Sequence, residues 1–383
     1  MFRKKRLVDK DFLLAIATLV GTAIGAGIFS LPYIASRSGF SIVMLMIFVL
    51  GVFTMLSNLM YGEITLRTGK RCRLVGYAEK YFGKKGRRPA AFAAFLSFYS
   101  GSLIYIILGG TFLNALLGGI FGSNEFLYST ALFVFVSLSI YFNLSLFSII
   151  ESWMVLFLLL VMSGIVSKSV PHIDVSNFAT VDFSYWFLPF GAVLFSLGAT
   201  SAIPELEHII KKRQKRIKDA IAWGTVSYIM IYVVFITAIL GVTGSQTTED
   251  VFTGLSLFIG DGVITFGLIF GFLAVLTSYL VTGISLKETF WYDYGLSEKK
   301  AWFLTCAVPY LFFLLGFRNF IEVISFAGTL TGGISGILII LIFYKAKGHG
   351  RPAYQVRVPV IVSSLMIFVY LIGIVYQIVY RGW

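Results

Sequence analysis

The sequence predicts an all-helical integral membrane protein of eleven spans, in which five spans are followed by five more on the same plan. Three observations carry this reading: an apolar excess, a one-sided distribution of basic residues, and two matching helix interruptions. Of 383 residues, 58% are apolar, 13% are charged and 38 are Phe, and the mean hydropathy is +0.88. A soluble domain carries about a quarter charged residues, so a soluble enzyme, a disordered chain and a disulfide-rich secreted scaffold are excluded. Cys72 and Cys306 stand far apart and predict no disulfide framework. The net charge of +13 does not point to nucleic acid, because the Lys and Arg residues fall in short runs between apolar blocks. Membrane proteins mark their cytoplasmic loops in this way.

Stretches long enough to cross about 30 Å of hydrocarbon lie at 12–36, 40–66, 90–121, 126–145, 149–169, 185–208, 217–243, 260–289, 299–316, 320–345 and 357–380. The first follows RKKR at 3–6, yet it is too long for a signal-peptide core, lacks a convincing cleavage site and is interrupted by GTAIGAG at 21–27. It reads as a mature helix. The second and third flank a loop, 67–88, that holds nine Lys and Arg. The sixth is interrupted like the first, and the seventh runs from the basic stretch 211–218 to the acidic loop TGSQTTED at 243–250. The eighth carries AVLTS at 274–278.

With the N-terminus in the cytoplasm, 27 of the 31 Lys and Arg residues fall inside and only Arg37, Lys168, Arg318 and Arg381 outside. That bias sets the orientation and the count of spans, and it puts the C-terminus outside.

The interruptions GAGIFSLP and LGATSAIP end at Pro32 and Pro204, 172 residues apart. The same offset carries the starts near 90, 126 and 149 to 262, 298 and 321, where the eighth, ninth and tenth spans begin. Residues 12–170 and 185–345 therefore read as two repeats of one transmembrane domain, with 357–380 outside them. Five is odd, so the second copy enters the membrane from the opposite side, and paired interruptions in inverted repeats point to a transporter binding site. The competing explanation is close helix packing through small residues.

A helix unwound inside the membrane must find partners for its freed backbone groups. The half-helix starting near Ala26 offers the amides of Ala26, Gly27 and Ile28 to a carboxylate, beside Gly25. The half-helices ending near Ala23 and Ser196 present carbonyls suited to an ammonium or a metal cation. A site with both kinds of end matches a small zwitterion, and an amino acid is the obvious one.

VGTAIGAGIFSLP at 20–32 and LFSLGATSAIPE at 194–205 resemble the first and sixth helices of the amino acid/auxin permease family, within the amino acid-polyamine-organocation superfamily. The resemblance covers essentially the whole chain. It implies the leucine-transporter fold, a 5+5 inverted repeat plus one C-terminal helix, and an amino-acid symporter like the bacterial aromatic permeases and the sodium-coupled neutral amino-acid transporters.

In the eighth span, the Ala274 carbonyl and the Thr277 and Ser278 hydroxyls share one helical face. With the carbonyls of Gly21 and Ile24 they supply five oxygens, similar to the second sodium site of that fold. A Thr-Ser pair alone is more often bonded back to its own helix. Ile28 stands where relatives with two sodium ions carry Asn, so the resemblance implies one Na+ per substrate. Aromatic permeases with a similar pair are regarded as proton-coupled, which keeps H+ as the alternative. Glu205 and Glu63 are the candidate proton carriers, with an Arg67-paired structural role equally open for Glu63. Glu151 and Glu322 are candidate gates.

Around the sixth-helix break, Val193, Leu194, Ser196 and Ala199 are expected to line the substrate, with Ser102 and Tyr105 of the third span closing the site opposite; Tyr99 and Tyr105 have packing roles as alternatives. A medium to large neutral amino acid fits. His172, His208 and His349 form no pair at metal spacing, and GAG at 25–27 follows no strand and precedes no acidic residue at the required distance, so an enzyme is not expected. A monomer in the plasma (inner) membrane is expected, with an amino acid and lipid as partners, no nucleic acid, and the ion as the only cofactor. The second functional class is an amino-acid receptor of the same fold, disfavoured by the short tails.

Overall fold

The computed structural model describes residues 10–69, 72–142, 147–210 and 214–380, with the side chains of 147–155, 261 and 263 outside that description. The basic runs at 3–6, 70–71 and 211–213 and Arg381 thus lie outside the described residues, with part of the charge count that orients the chain. Regular structure among the described residues is helical throughout.

The first apolar segment is two helices, α1 (Lys10–Ala23) and α2 (Gly27–Ser38), bent by 56° at the break. Gly39, at φ 107°, turns the chain into α3 (Phe40–Thr68). Helix α4 (Leu74–Phe121) is kinked at Gly83, and α5 (Glu125–Tyr141) starts at Asn124, whose side chain accepts from the Leu127 amide. Helix α6 (Phe147–Ser169) leads through short turns to α7 (Leu188–Ser196). After the second break come α8 (Ile203–Ile209), α9 (Ile217–Thr243) and the short α10 (Phe252–Ser256). The chain continues as α11 (Asp261–Glu288), α12 (Glu298–Leu314), α13 (Phe320–Ala327), α14 (Gly333–Ala346) and α15 (Val360–Val379).

Among the described residues, six helical stretches, Phe40–Thr68, Leu74–Phe121, Gln214–Gln246, Ile264–Asp293, Phe320–Ala346 and Val360–Val379, are long and apolar enough to cross a membrane, and the bent pair adds a seventh. Phe48 and Ile361 are 70% and 80% exposed on such helices, as side chains facing lipid would be.

The structure corrects the sequence reading in two places. The segment 67–88, read as a loop because of its charges, is largely helical from Leu74. Tyr77 and Ala78 are buried there while the Lys and Arg residues point outward, so the charges mark an amphipathic face. The stretch 320–345, read as one helix, widens into a π-turn at Gly328–Gly332. A Cβ on Gly328 would stand 2.8 Å from the Gly191 carbonyl carbon, so α7 and this turn cross with backbone against backbone.

Helix α11 packs on α4 and α6, α1 on α9, α3 on α9 and α14, and α7 on α2 and α13. Both breaks therefore lie in the interior.

Candidate functional site at the crossing of two broken helices

The ladder of α1 ends with Ile24 N donating to Val20 O and resumes with Ile28 N to Gly25 O and Phe29 N to Ala26 O. The Ile28 amide, expected to face a carboxylate, is thus taken by Gly25. The amides of Ala26 and Gly27 open the new helix, where no carbonyl of that helix precedes them.

In the second break, Leu197 N bonds Val193 O, Ala199 N bonds Leu197 O, and a tight turn at Thr200–Ala202 leads into α8. The two breaks meet directly: a Cβ on Gly27 would stand 2.9 Å from the Ser196 Cα. The Ser196 hydroxyl donates back to Ala192 O at 2.7 Å. The terminal carbonyls of both half-helices are engaged as well. The Tyr232 hydroxyl of α9 lies 2.8 Å from Ala23 O and 3.0 Å from Ser196 O. One turn earlier, Tyr228 accepts from Asn58 Nδ2 at 3.3 Å and points its hydroxyl at Leu197 O, while Thr200 donates to Asn58 Oδ1.

Beside the crossing is a cavity of about 20 Å³ lined by Gly21, Ile24, Gly25, Ala26, Phe29, Tyr105, Leu158, Ala274, Val275, Thr277 and Ser278. It holds about one water or one small ion. All five residues expected to hold a cation line it, joined by Gly25, Ala26 and Tyr105. The Thr277 hydroxyl donates to Ala274 O at 3.1 Å, so its proton is committed to its own helix and its lone pairs are what it can offer the cavity. Backbone carbonyls and hydroxyls form a hard, all-oxygen set, which suits an alkali cation.

Val193, Leu194 and Ala199 are buried next to the second break, where Leu194 packs against Gly332 of the π-turn. Ser102 is not among the residues lining this cavity. Its hydroxyl is buried with no hydrogen-bond partner among the described residues, three positions before Tyr105 on one face of α4.

Phe29, Phe112 and Phe252 form a buried aromatic trio with ring centroids 5.2–5.8 Å apart. Phe29 lines the small cavity. Phe252 begins α10, just after Thr248, Glu249 and Asp250, which face a vestibule of about 760 Å³ together with Glu125, Arg318 and Phe320. Burial, then the neighbouring Glu125, raises the pKa of Glu249 above the ordinary carboxylate value, against the pull of Arg37.

Glu63, Glu205 and Glu322 are not among the residues lining the small cavity. Glu63 is buried at the end of α3, 2.6 Å from Arg67 Nε, and also accepts from the Val356 amide. Arg67 Nη1 reaches the carbonyls of Lys347, His349 and Gly350. This pair clamps the α14–α15 connection to α3. Glu205 is exposed in the first turn of α8, and Glu322 is exposed in the first turn of α13. Glu151 lies on α6, with its side chain outside the described residues.

Sequence reasoning missed Tyr232, Tyr228 and Asn58. A signal was present: two Tyr at i and i+4 on one face of an apolar span, and an Asn inside another.

The chain is similar to known proteins along nearly its whole length. The chain is 23% identical over 360 residues to tyrosine-specific transport system 1 of Haemophilus influenzae, covering 88% of this chain and 89% of that protein. It is 26% identical over 368 residues to tyrosine-specific transport system 2 of the same organism, covering 89% of each. The crystal structure of MhsT in complex with L-phenylalanine has the same fold, with a TM-score of 0.64 at 16% identity, covering 97% of this chain and 100% of that one. The two Haemophilus relatives are named as transport systems, not as enzymes. The profile of the tryptophan/tyrosine permease family matches residues 9–380, nearly the whole chain, and the protein belongs to that family as an integral protein of the plasma membrane.

Proposed function

We propose that this chain imports an aromatic amino acid, with tyrosine the first candidate, by symport with one Na+ through alternating access. The observation that carries the reading is the cavity shared by α1, α4 and α11, where Gly21, Ile24, Ala274, Thr277 and Ser278 meet Gly25, Ala26 and Tyr105. The two Haemophilus relatives named for tyrosine and the neighbour bound to L-phenylalanine support the substrate class.

In this reading the amides of Ala26 and Gly27 hold the substrate carboxylate, and Val193, Leu194 and Ala199 offer apolar surface to its side chain. Gly21, Ile24, Ala274, Thr277 and Ser278 would hold the ion, which supplies positive charge beside the end of α1 and couples uptake to its gradient. The chain would be a monomeric member of the amino acid/auxin permease family with eleven spans, N-terminus inside and C-terminus outside. Residues 12–170 and 185–345 would be its inverted repeats, and helices lie at every proposed span. Spans one, two, six and seven would rock against spans three, four, eight and nine. The vestibule by Glu249 would then face outward, with the Phe29, Phe112 and Phe252 rings between it and the ion cavity.

The test is counterflow of radiolabelled tyrosine, tryptophan and phenylalanine in proteoliposomes, with Na+ replaced by K+ at fixed pH. Uptake lost in K+ supports the proposal. Uptake indifferent to the swap but abolished by collapsing a pH gradient would replace Na+ with H+. No counterflow of any amino acid would favour a receptor.

A further inference from the structure

We propose that Tyr232 is a positioning residue whose hydroxyl joins the ends of the two broken helices in place of a cation, so that their crossing needs no ion of its own. The proposal rests on the transporter reading and goes beyond it.

Ala23 and Ser196 are the last residues of α1 and α7. The C-terminus of each helix carries about half a negative charge on carbonyls that have run out of amide partners. Two such ends facing each other in a buried, water-poor interior repel, and each leaves acceptors that must be satisfied. A metal ion, an ammonium group or a proton donor can join them. Here the joint is a phenol, within hydrogen-bond distance of both oxygens and wholly buried. A hydroxyl has one proton, which the two carbonyls share or take in turn.

The surroundings fix this arrangement. Gly27 lets α2 approach the Ser196 backbone so closely that a Cβ would collide, which holds the two ends together. Helix α9 packs against both α1 and α2 and sets its next inward hydroxyl, Tyr228, at Leu197, the residue after Ser196. The same helix thus attends to successive carbonyls of the second break. The oxygen-lined cavity is built from different carbonyls, those around Gly21 and Ile24, and Tyr232 is not among its lining residues. One pair of helix ends is therefore bridged by a hydroxyl of the protein itself, and the neighbouring cavity remains for a single transported ion.

The experiment compares wild type with Tyr232→Phe and Tyr232→Ser. Tyrosine affinity and maximal uptake are measured in proteoliposomes, and melting temperature in detergent is measured across a Na+ titration. The Phe variant keeps the ring and removes the proton. Its KM for tyrosine is expected to rise roughly tenfold or more, as for loss of a buried hydrogen bond, with maximal uptake within about twofold of wild type. The Ser variant opens space at the two carbonyls. Its melting temperature is expected to rise with Na+ more steeply than that of wild type, a response that a purely structural tyrosine would not produce.

A Phe variant with wild-type KM overturns the positioning role. A Ser variant no more responsive to Na+ than wild type overturns the substitution for a cation, and if that variant does not fold, the same titration on Tyr232→Ala, which opens the same space, decides. Failure of the wild type to exchange any aromatic amino acid would defeat the transporter reading alone. The Na+ dependence of the melting temperatures would still test the role of Tyr232.

Discussion

Gly27 and Ser196 are the point of contact between the two interrupted helices: a Cβ added to Gly27 would lie 2.9 Å from the Ser196 Cα, inside any real carbon–carbon contact. A Cβ added to Gly25, two residues earlier in the same motif, would meet nothing within 4 Å. The two glycines thus have different physical reasons to be there. Gly27→Ala is expected to force the helices apart and cost on the order of a hundredfold in uptake, as a misplacement of about 1 Å in a positioned site does. Gly25→Ala is expected to leave the melting temperature within a few degrees of wild type while weakening the ion dependence of uptake, because its methyl group enters the small cavity. Parallel uptake and thermal-melt measurements on the two variants check this. Equal effects on both would mean that the glycines serve general packing.

How much of this was legible in the sequence depended on the range of the interaction. Gly21 and Ile24, and likewise Ala274, Thr277 and Ser278, can be read as two local sets because helical periodicity fixes which of them share a face. That both sets line one cavity is a tertiary fact, which the 172-residue offset between Pro32 and Pro204 could only suggest. The Tyr228 and Tyr232 pair was visible on one face of its span, but the partner of Tyr232 was not, because its bond to Ala23 spans 209 positions and a Tyr in an apolar span also serves as an interfacial anchor. The helix at Leu74 was hidden because its charged face reads as a loop, and the π-turn at Gly328–Gly332 because its apolar composition is that of any span. The carbonyls of Ala23 and Ser196 could be predicted to need a cation or a donor, but not that a hydroxyl from α9 takes that place.

Thr277→Ala and Ser278→Ala test the proposal that the small cavity holds the coupling ion. The Thr277 proton goes to Ala274 O, so removing the hydroxyl frees that carbonyl and deletes one oxygen from the lining. Each variant is expected to raise the Na+ concentration for half-maximal uptake by roughly tenfold or more, with the fold intact, because a Thr→Ala change deletes little buried apolar volume. Undiminished Na+ dependence in Thr277→Ala, measured by uptake across a Na+ series, would remove this cavity as the ion site.

Glu63 offers a contrast between structural and proton-carrying roles. Its carboxylate is 2.6 Å from Arg67, and their side chains are only 1% and 7% exposed. Breaking a buried pair by removing one charge costs about 3–5 kcal/mol, since the other is left buried without a counter-ion. Glu63→Gln should therefore lower the melting temperature and loosen the 347–356 segment, which hydrogen exchange at Val356 would report. The pH dependence of uptake per folded molecule should stay unchanged. A shifted pH profile with an unchanged melting temperature would instead make Glu63 a proton carrier.

Glu249 gives a pH dependence with a definite sign. Burial, followed by repulsion from Glu125, raises its pKa above 4.5 in the folded protein, with Asp250 and Glu322 adding to the rise and Arg37 opposing it. Arg318 lines the same vestibule. A carboxyl whose pKa is higher folded than unfolded binds its proton more tightly in the native state. Its stabilising contribution is therefore full below the unfolded value, fades as the pH rises through the folded value, and leaves a constant penalty above it. Glu249→Gln removes the charge and keeps the shape. The variant is expected to melt higher than wild type at neutral pH and to lose the part of the pH slope that begins at the ordinary carboxylate value and runs upward from it, while matching wild type in more acidic buffer. Melting curves in a buffer series from acidic to neutral pH provide the measurement. A variant less stable than wild type at neutral pH would show that the Glu249 charge is held by attraction, with Arg37 or Arg318 outweighing burial and the neighbouring carboxylates.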